Sequence, residues 1–223
     1  MTKTQLVLLS GGMDSSAALA QAHSSGLPVL AVSVDYGQRH VKEIEAAAAV
    51  AKHYGVEHVT LDMTGWGKLL KGSSLTDSSV DVPEGHYAAP TMALTVVPNR
   101  NATMLMAAVG VADAYGIDQV VTAVHAGDHA IYADCRPDFI DAADRTARVA
   151  TEGRVSIVAP FVMWTKTDIA REGARLGTPF GLTWSCYNGR ELQCGVCGTC
   201  TERKEAFHDA GLTDPTEYEG AAA

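Results

Sequence analysis

The tightest constraint in the chain lies at its start, where the apolar run Gln5-Leu6-Val7-Leu8-Leu9 passes directly into Ser10-Gly11-Gly12-Met13-Asp14-Ser15. A short continuous apolar run reads as a strand covered on both faces, the strand type of a parallel sheet. The residues after the two glycines read as a helix over 15–25, stopped by Gly26 and Pro28. A turn of this composition between strand and helix suits an anion, because backbone N–H groups and the helix's positive end converge there. Gly11 and Gly12 permit close backbone approach, Ser10 and Ser15 add hydroxyl donors, and Asp14 can orient the loop or meet a magnesium ion. An ordinary capped turn is the plainer alternative; the complete string after an apolar strand weighs against it.

The rhythm continues with a strand over 29–34, a helix over 40–54 and a strand over 57–61, which predicts a doubly wound α/β parallel sheet. Residues 65–98 break the pattern and read as a functional loop or lid. Helices over 99–115, 137–150, 167–176 and 201–210 and strands over 119–124 and 155–158 follow, with a frayed tail over 217–223. The expected division is an α/β domain over 1–180 that carries this anion-binding turn and a zinc-binding C-terminal lobe over 181–223, forming one compact unit.

Four of the five cysteines, Cys186, Cys194, Cys197 and Cys200, fall in the last third of the chain at a spacing that asks for a metal. An all-thiolate set with no vacant position suits a structural zinc ion. Free buried thiols, a redox pair and an iron–sulfur cluster are the alternatives. A formal charge of −9 argues against a surface that grips nucleic acid and for a small-molecule substrate. No apolar run reaches the ~18–20 residues of a membrane span, and the start carries no leader pattern, so a cytoplasmic protein is expected.

The loop lacks the lysine of a Walker loop and resembles that of the PP-loop ATP pyrophosphatases, which cleave ATP between the α- and β-phosphates. Further strings narrow the resemblance: Asp35-Tyr36-Gly37-Gln38-Arg39-His40, Val97-Pro98-Asn99-Arg100-Asn101, the run Tyr132 to Phe139, and Trp184-Ser185-Cys186-Tyr187-Asn188-Gly189. Together, over about 6–207, they resemble the 7-cyano-7-deazaguanine synthase family. That resemblance implies ATP-dependent conversion of 7-carboxy-7-deazaguanine and ammonia to the nitrile through an adenylated acid and an adenylated amide, releasing AMP and pyrophosphate. It also implies an ATP-binding stretch at Leu9, Ser10, Gly11, Gly12, Met13, Asp14, Ser15, Ser16, Ala17, Ala18 and Leu19, zinc on the four cysteines, and a homodimer. A synthetase stopping at the amide and a tRNA thiolation enzyme are the rival activities. The sequence departs from the family at Asn99, commonly glycine, and at Ala133, commonly proline.

Individual residues follow from position. Arg39 and His40 trail a strand's carboxyl end, where open α/β sheets place ligands. Arg100 opposes a helix dipole and so asks for an anion, while Asn99 reads as that helix's cap. Lys166 can neutralise pyrophosphate. Asp14, Arg39, His40, Arg100 and Lys166 form the expected catalytic set; Asp128, Asp134, Arg136 and Asp138 are the expected readers of a guanine-like base. His125 stands at the ligand edge as a candidate, Cys135 reads as buried filler and Trp184 as packing.

Overall fold

In β1 (Gln5–Leu8) the side chains of Leu6 and Val7 point to opposite faces, yet both are fully buried. Only a sheet covered on both sides allows that. The computed structural model, which describes residues 4–39, 42–77, 79–85 and 90–220, shows where the cover comes from. β1 leads through α1 (Met13–Ser24) to β2 (Val29–Asp35), and through α2 (Lys42–Tyr54) to β3 (Glu57–Asp62). A turn of helix, α3 (Thr64–Gly67), precedes α4 (Arg100–Tyr115) and β4 (Gln119–Val121). Then come α5 (Pro137–Ala150), β5 (Ser156–Val158), α6 (Lys166–Arg175) and α7 (Gly198–Ala210).

The five strands are parallel in the order β3-β2-β1-β4-β5, the doubly wound sheet expected. Leu6, Leu30, Val32, Val120 and Ile157 pack on α4 and α5. Val7, Leu9, Ala31 and Val121 pack on α1, α2 and α6. The strand order reverses between β1 and β4, and a crevice forms beyond the carboxyl ends of strands at such a point. Among the described residues no helix is long and apolar enough to cross a membrane.

Several boundaries differ from expectation for local reasons. α6 begins at Lys166 because Thr165 and Asp168 form a reciprocal cap, with backbone-to-side-chain distances of 3.2 and 3.1 Å. α7 begins at Gly198, so Cys200 sits within the helix rather than before it. Asn99 precedes α4 with φ 55° and makes no side-chain cap. The left-handed backbone explains why glycine suits that position, and the capping role passes elsewhere. The tail is ordered at least to Glu219, whose N–H donates to the Gln193 carbonyl, and the Tyr218 hydroxyl donates to Asp214. Residues 73–75 and 92–97 do not float: Ser73, Ser74, Leu75, Met92, Thr95 and Val97 are buried, and Arg39 N–H donates to the Leu75 carbonyl.

One contact sets how the first two βα units meet. Gly11 has φ +86°, and a Cβ there would lie 2.1 Å from the Glu43 carbonyl oxygen and 2.8 Å from the Ala47 nitrogen. The backbone of α2 therefore rests on the loop itself. Gly11→Ala combines that overlap with a forbidden φ, and should cost about 2 kcal/mol or more. Urea unfolding checks this; an unchanged midpoint would contradict the close contact.

Candidate active site

At the carboxyl ends of β1, β2 and β4 lies a cavity of about 240 Å³. Its wall includes Leu9, Ser10, Gly12, Met13, Asp14 and Ser15 of the loop, together with Arg39, Arg100, Asp128 and Lys166. Ser10 N–H donates to Ser15 Oγ at 3.2 Å, the two hydroxyls lie 3.0 Å apart, and Gly12 N–H donates to Ser10 Oγ at 3.3 Å. The serine side chains thus hold the loop's shape. Gly12 opens α1 without a side-chain cap, and the N–H groups of a helix's first turn have no intrahelical acceptor. That leaves an anion site made of backbone. Ala17, Ala18 and Leu19 instead pack into the sheet core, and buried Ser16 is likewise no part of the cavity wall.

Charge gathers at one end. Lys166 Nζ stands 2.5 Å from Glu202 Oε2 and 3.3 Å from Asp14 Oδ2, with only 12% of its side chain exposed. Burial works to lower its pKa, but Asp14, Glu202 and Asp128 more than offset this and raise it, so the ammonium stays charged. Glu202 also has its pKa raised, here by burial, against the pull of Lys166. His125 accepts a hydrogen bond at Nδ1 from Gly127 N–H, 3.1 Å away. Its Nε2 lies 3.8 Å from Asp14 Oδ2 and 3.5 Å from Asp128 Oδ2. Asp14 Oδ1 is buried and has no hydrogen-bond partner among the described residues. A buried carboxylate oxygen in that condition awaits a donor or a cation.

The other end is aromatic. Arg100 Nη1 donates to the Tyr36 hydroxyl at 3.5 Å, with the guanidinium 6.0 Å from the ring centre. Tyr132 and Tyr187 complete this wall, and the Tyr132 hydroxyl meets Thr95 Oγ1 at 2.5 Å. Burial raises the pKa of Tyr36 and of Tyr187, which keeps both phenols protonated as donors. Glu43, in the first turn of α2, also lines the cavity; burial raises its carboxyl to about 7, against an opposing pull from Arg100.

The remaining expected residues are placed differently. The guanidinium of Arg39 donates to the Ser74 and Val80 carbonyls at 3.3 and 2.9 Å, tying down the stretch after β3. His40 lies outside the described residues. Asp134, Arg136 and Asp138 do not line the cavity. The carboxylate of Asp134 accepts from Asn101 N–H at 3.1 Å and so caps α4, the role expected of Asn99. Asp138 sits in the first turn of α5, where its carboxylate suits the dipole, and Arg136 is the exposed residue preceding that helix. Position in sequence missed Glu43, Tyr132, Tyr187, Asn101 and Glu202. An acidic first-turn residue such as Glu43 reads as dipole compensation, and nothing local marks Glu202.

The four clustered cysteines are buried with all Sγ atoms within 4.8 Å of one another. Thiolates at the corners of a tetrahedron with ~2.3 Å bonds lie about 3.8 Å apart, so the set needs only slight contraction to hold such an ion. Asn188 N–H donates to Cys186 Sγ and Cys197 N–H to Cys194 Sγ, both at 3.3 Å, donors of the kind that suit metal-bound thiolates. The cluster joins the cavity directly: Trp184 N–H donates to the Gly11 carbonyl at 2.9 Å, and Thr199 Oγ1 to the Ser185 carbonyl at 2.7 Å. Trp184 itself donates from its ring nitrogen to the Cys186 carbonyl while lining the cavity.

A sequence model of the family described as queuosine biosynthesis protein QueC matches residues 4–211. The chain belongs to that family. It is 56% identical over 216 residues to the 7-cyano-7-deazaguanine synthase of Rhizobium rhizogenes, covering 96% of this chain and 91% of the relative. It is 54% identical over 219 residues to that of Paracoccus denitrificans, covering 97% and 93%. The fold is similar to the structure of NMN synthetase from Francisella tularensis, with a TM-score of 0.53 at 16% identity, over 95% of this chain and 78% of that one. The two chains thus share a fold, and this one carries a four-cysteine cluster near the C-terminus.

Glu43 gives this site a stability signature. Its folded pKa, about 7, lies above the unfolded value of 4.5, so its contribution is fully present below pH 4.5 and lost as pH rises through 7. Glu43→Gln should therefore leave stability little changed at pH 4.5 and raise it by about 1–3 kcal/mol at pH 8. Thermal unfolding of both proteins across that range checks the sign; a variant less stable at pH 8 would contradict it.

Proposed function

We propose that the chain converts 7-carboxy-7-deazaguanine, ammonia and ATP into 7-cyano-7-deazaguanine, AMP and pyrophosphate. Family membership supports the reaction. The observation that carries the mechanism is one cavity holding a backbone anion site at one end and an arginine among tyrosines at the other. A carboxylate resists ammonia because its charge repels the nucleophile and its leaving group is oxide. Transfer of AMP to a carboxylate oxygen supplies a competent leaving group, and ammonia then yields the amide. Transfer of a second AMP to the amide oxygen permits elimination to the nitrile.

The chain's own groups divide this work. The loop amides hold the polyphosphate, and Lys166 meets the charge on the departing pyrophosphate. Arg100, kept protonated beside Tyr36, suits the substrate carboxylate. Tyr36, Tyr132 and Tyr187 offer hydroxyls and ring faces to a planar base, and the enclosing wall limits hydrolysis of the adenylates.

Asp14, Asp128 and Glu202 outnumber the single ammonium of Lys166, so the phosphate end is short of positive charge for a triphosphate. Magnesium supplies that charge when bound, and the unpartnered Oδ1 of Asp14 is the oxygen suited to hold it. Zinc is the ion proposed for the four thiolates, and pins the C-terminal lobe, residues 181–223, to the loop. The net charge of −9 supports a small-molecule enzyme without a direct nucleic-acid partner, and a cytoplasmic homodimer completes the reading.

Incubation with the acid, ammonium and magnesium ATP should release two AMP and two pyrophosphate for each nitrile, read by mass spectrometry and chromatography. One AMP with the amide as end product would favour the amide synthetase; ADP and phosphate would overturn adenylation.

A further inference from the structure

All three hydrogens of ammonia must leave as protons on the way to a nitrile. One leaves when ammonia adds to the adenylated acid and the adduct expels AMP. A second leaves when the amide oxygen takes up AMP and the nitrogen becomes an imine. The third leaves as the adenylated imine loses AMP and the carbon–nitrogen triple bond closes. Each step needs a proton acceptor beside the same nitrogen, and general acid–base groups of this kind contribute typically about 10²–10⁴-fold.

We propose that the Glu43 carboxylate accepts these protons, an assignment that rests on the nitrile-forming reading above. The backbone of residue 43 is pressed against Gly11, so the side chain starts from a point fixed relative to the phosphate loop. From there it lines the same cavity as Ser10, Gly12 and Arg100. The acceptor therefore shares one cavity wall with the groups that hold the phosphates and with the arginine suited to the carboxylate.

The other titratable groups of the wall are engaged or protonated. Asp14 is held by Lys166 at 3.3 Å and faces His125, and Asp128 faces His125 at 3.5 Å. Arg100 carries its charge, the Tyr36 and Tyr187 phenols are raised by burial, and burial likewise raises the Cys135 thiol. Around Glu43 itself, burial raises its pKa, Arg100 from α4 draws it down, and the charge of Glu43 in turn raises the pKa of Tyr36 just after β2. On its own helix Lys42 lies over the Trp184 ring at 5.4 Å, and Arg39 is engaged with the Ser74 and Val80 carbonyls. A value of about 7 leaves Glu43 able both to take a proton and to release it to solvent before the next transfer. No atom is oxidised or reduced; the nitrogen's proton passes to a carboxylate oxygen, the N–H pair joins the forming carbon–nitrogen bond, and AMP departs with the bonding pair of its carbon–oxygen bond.

The test separates activation from nitrogen transfer in the full-length protein. Without ammonia, exchange of labelled pyrophosphate into ATP should depend on the deazapurine acid, in the parent and in Glu43→Gln to within about threefold. With ammonium, amide and nitrile formation by Glu43→Gln should fall by about 10²–10⁴-fold. At constant free ammonia, the parent's kcat should rise with pH through about 7; that limb should vanish in Glu43→Gln and persist in Glu43→Asp. Absence of exchange in the parent would overturn the functional reading itself. Exchange in both proteins with equal nitrogen-transfer rates, or with the same pH limb, would overturn the role of Glu43 alone. Loss of exchange together with nitrogen transfer in Glu43→Gln would also overturn it, since the residue would then be shaping the loop.

Discussion

The ammonium of Lys166 is buried between two carboxylates that come from distant parts of the chain, Asp14 in the first turn of α1 and Glu202 on α7. Removing Lys166 would leave both carboxylates uncompensated in a dry place, which commonly costs about 3–5 kcal/mol. That single contact therefore fixes three elements at once: the phosphate loop, the start of α6 and the helix that carries Cys200. The Trp184 to Gly11 hydrogen bond joins the same two regions through backbone. The four-cysteine cluster thus does more than fasten a tail. It sets the helix whose carboxylate holds the lysine that faces the loop.

On the far side of the loop the coupling is steric rather than ionic. Gly11 admits α2 to van der Waals contact, and the contact fixes where Glu43 begins. The cavity is consequently divided. Its loop end is rich in paired charge, and its other end carries an arginine, phenols and a carboxyl held near neutrality. A reaction that first transfers AMP and then handles protons on nitrogen needs both environments within one substrate length.

Much of this was legible in residue order. A buried strand, a glycine-rich turn and the helix after it are local signals, and the parallel sheet follows from their repetition. The four cysteines announce themselves by spacing, and Arg100 by its place against a helix dipole. What escaped was long-range. Asp134 caps a helix that begins 34 residues earlier in the chain, at Arg100, which no spacing reveals, so its position alone reads as a substrate contact. Arg39 was placed at the right edge, but its guanidinium is bound to carbonyls of a stretch whose path the sequence does not predict. Glu43 and Glu202 look like ordinary helix-surface acids until the sheet brings α2 and α7 around the loop.

In the proposed reaction one cavity transfers AMP twice to oxygens of the same carboxyl group. Acid carrying ¹⁸O in both carboxyl positions tests it most directly, with the released AMP read by mass spectrometry. Two successive adenylations predict two AMP per nitrile, each carrying a single ¹⁸O. AMP free of label, or label appearing in inorganic phosphate, would contradict the account.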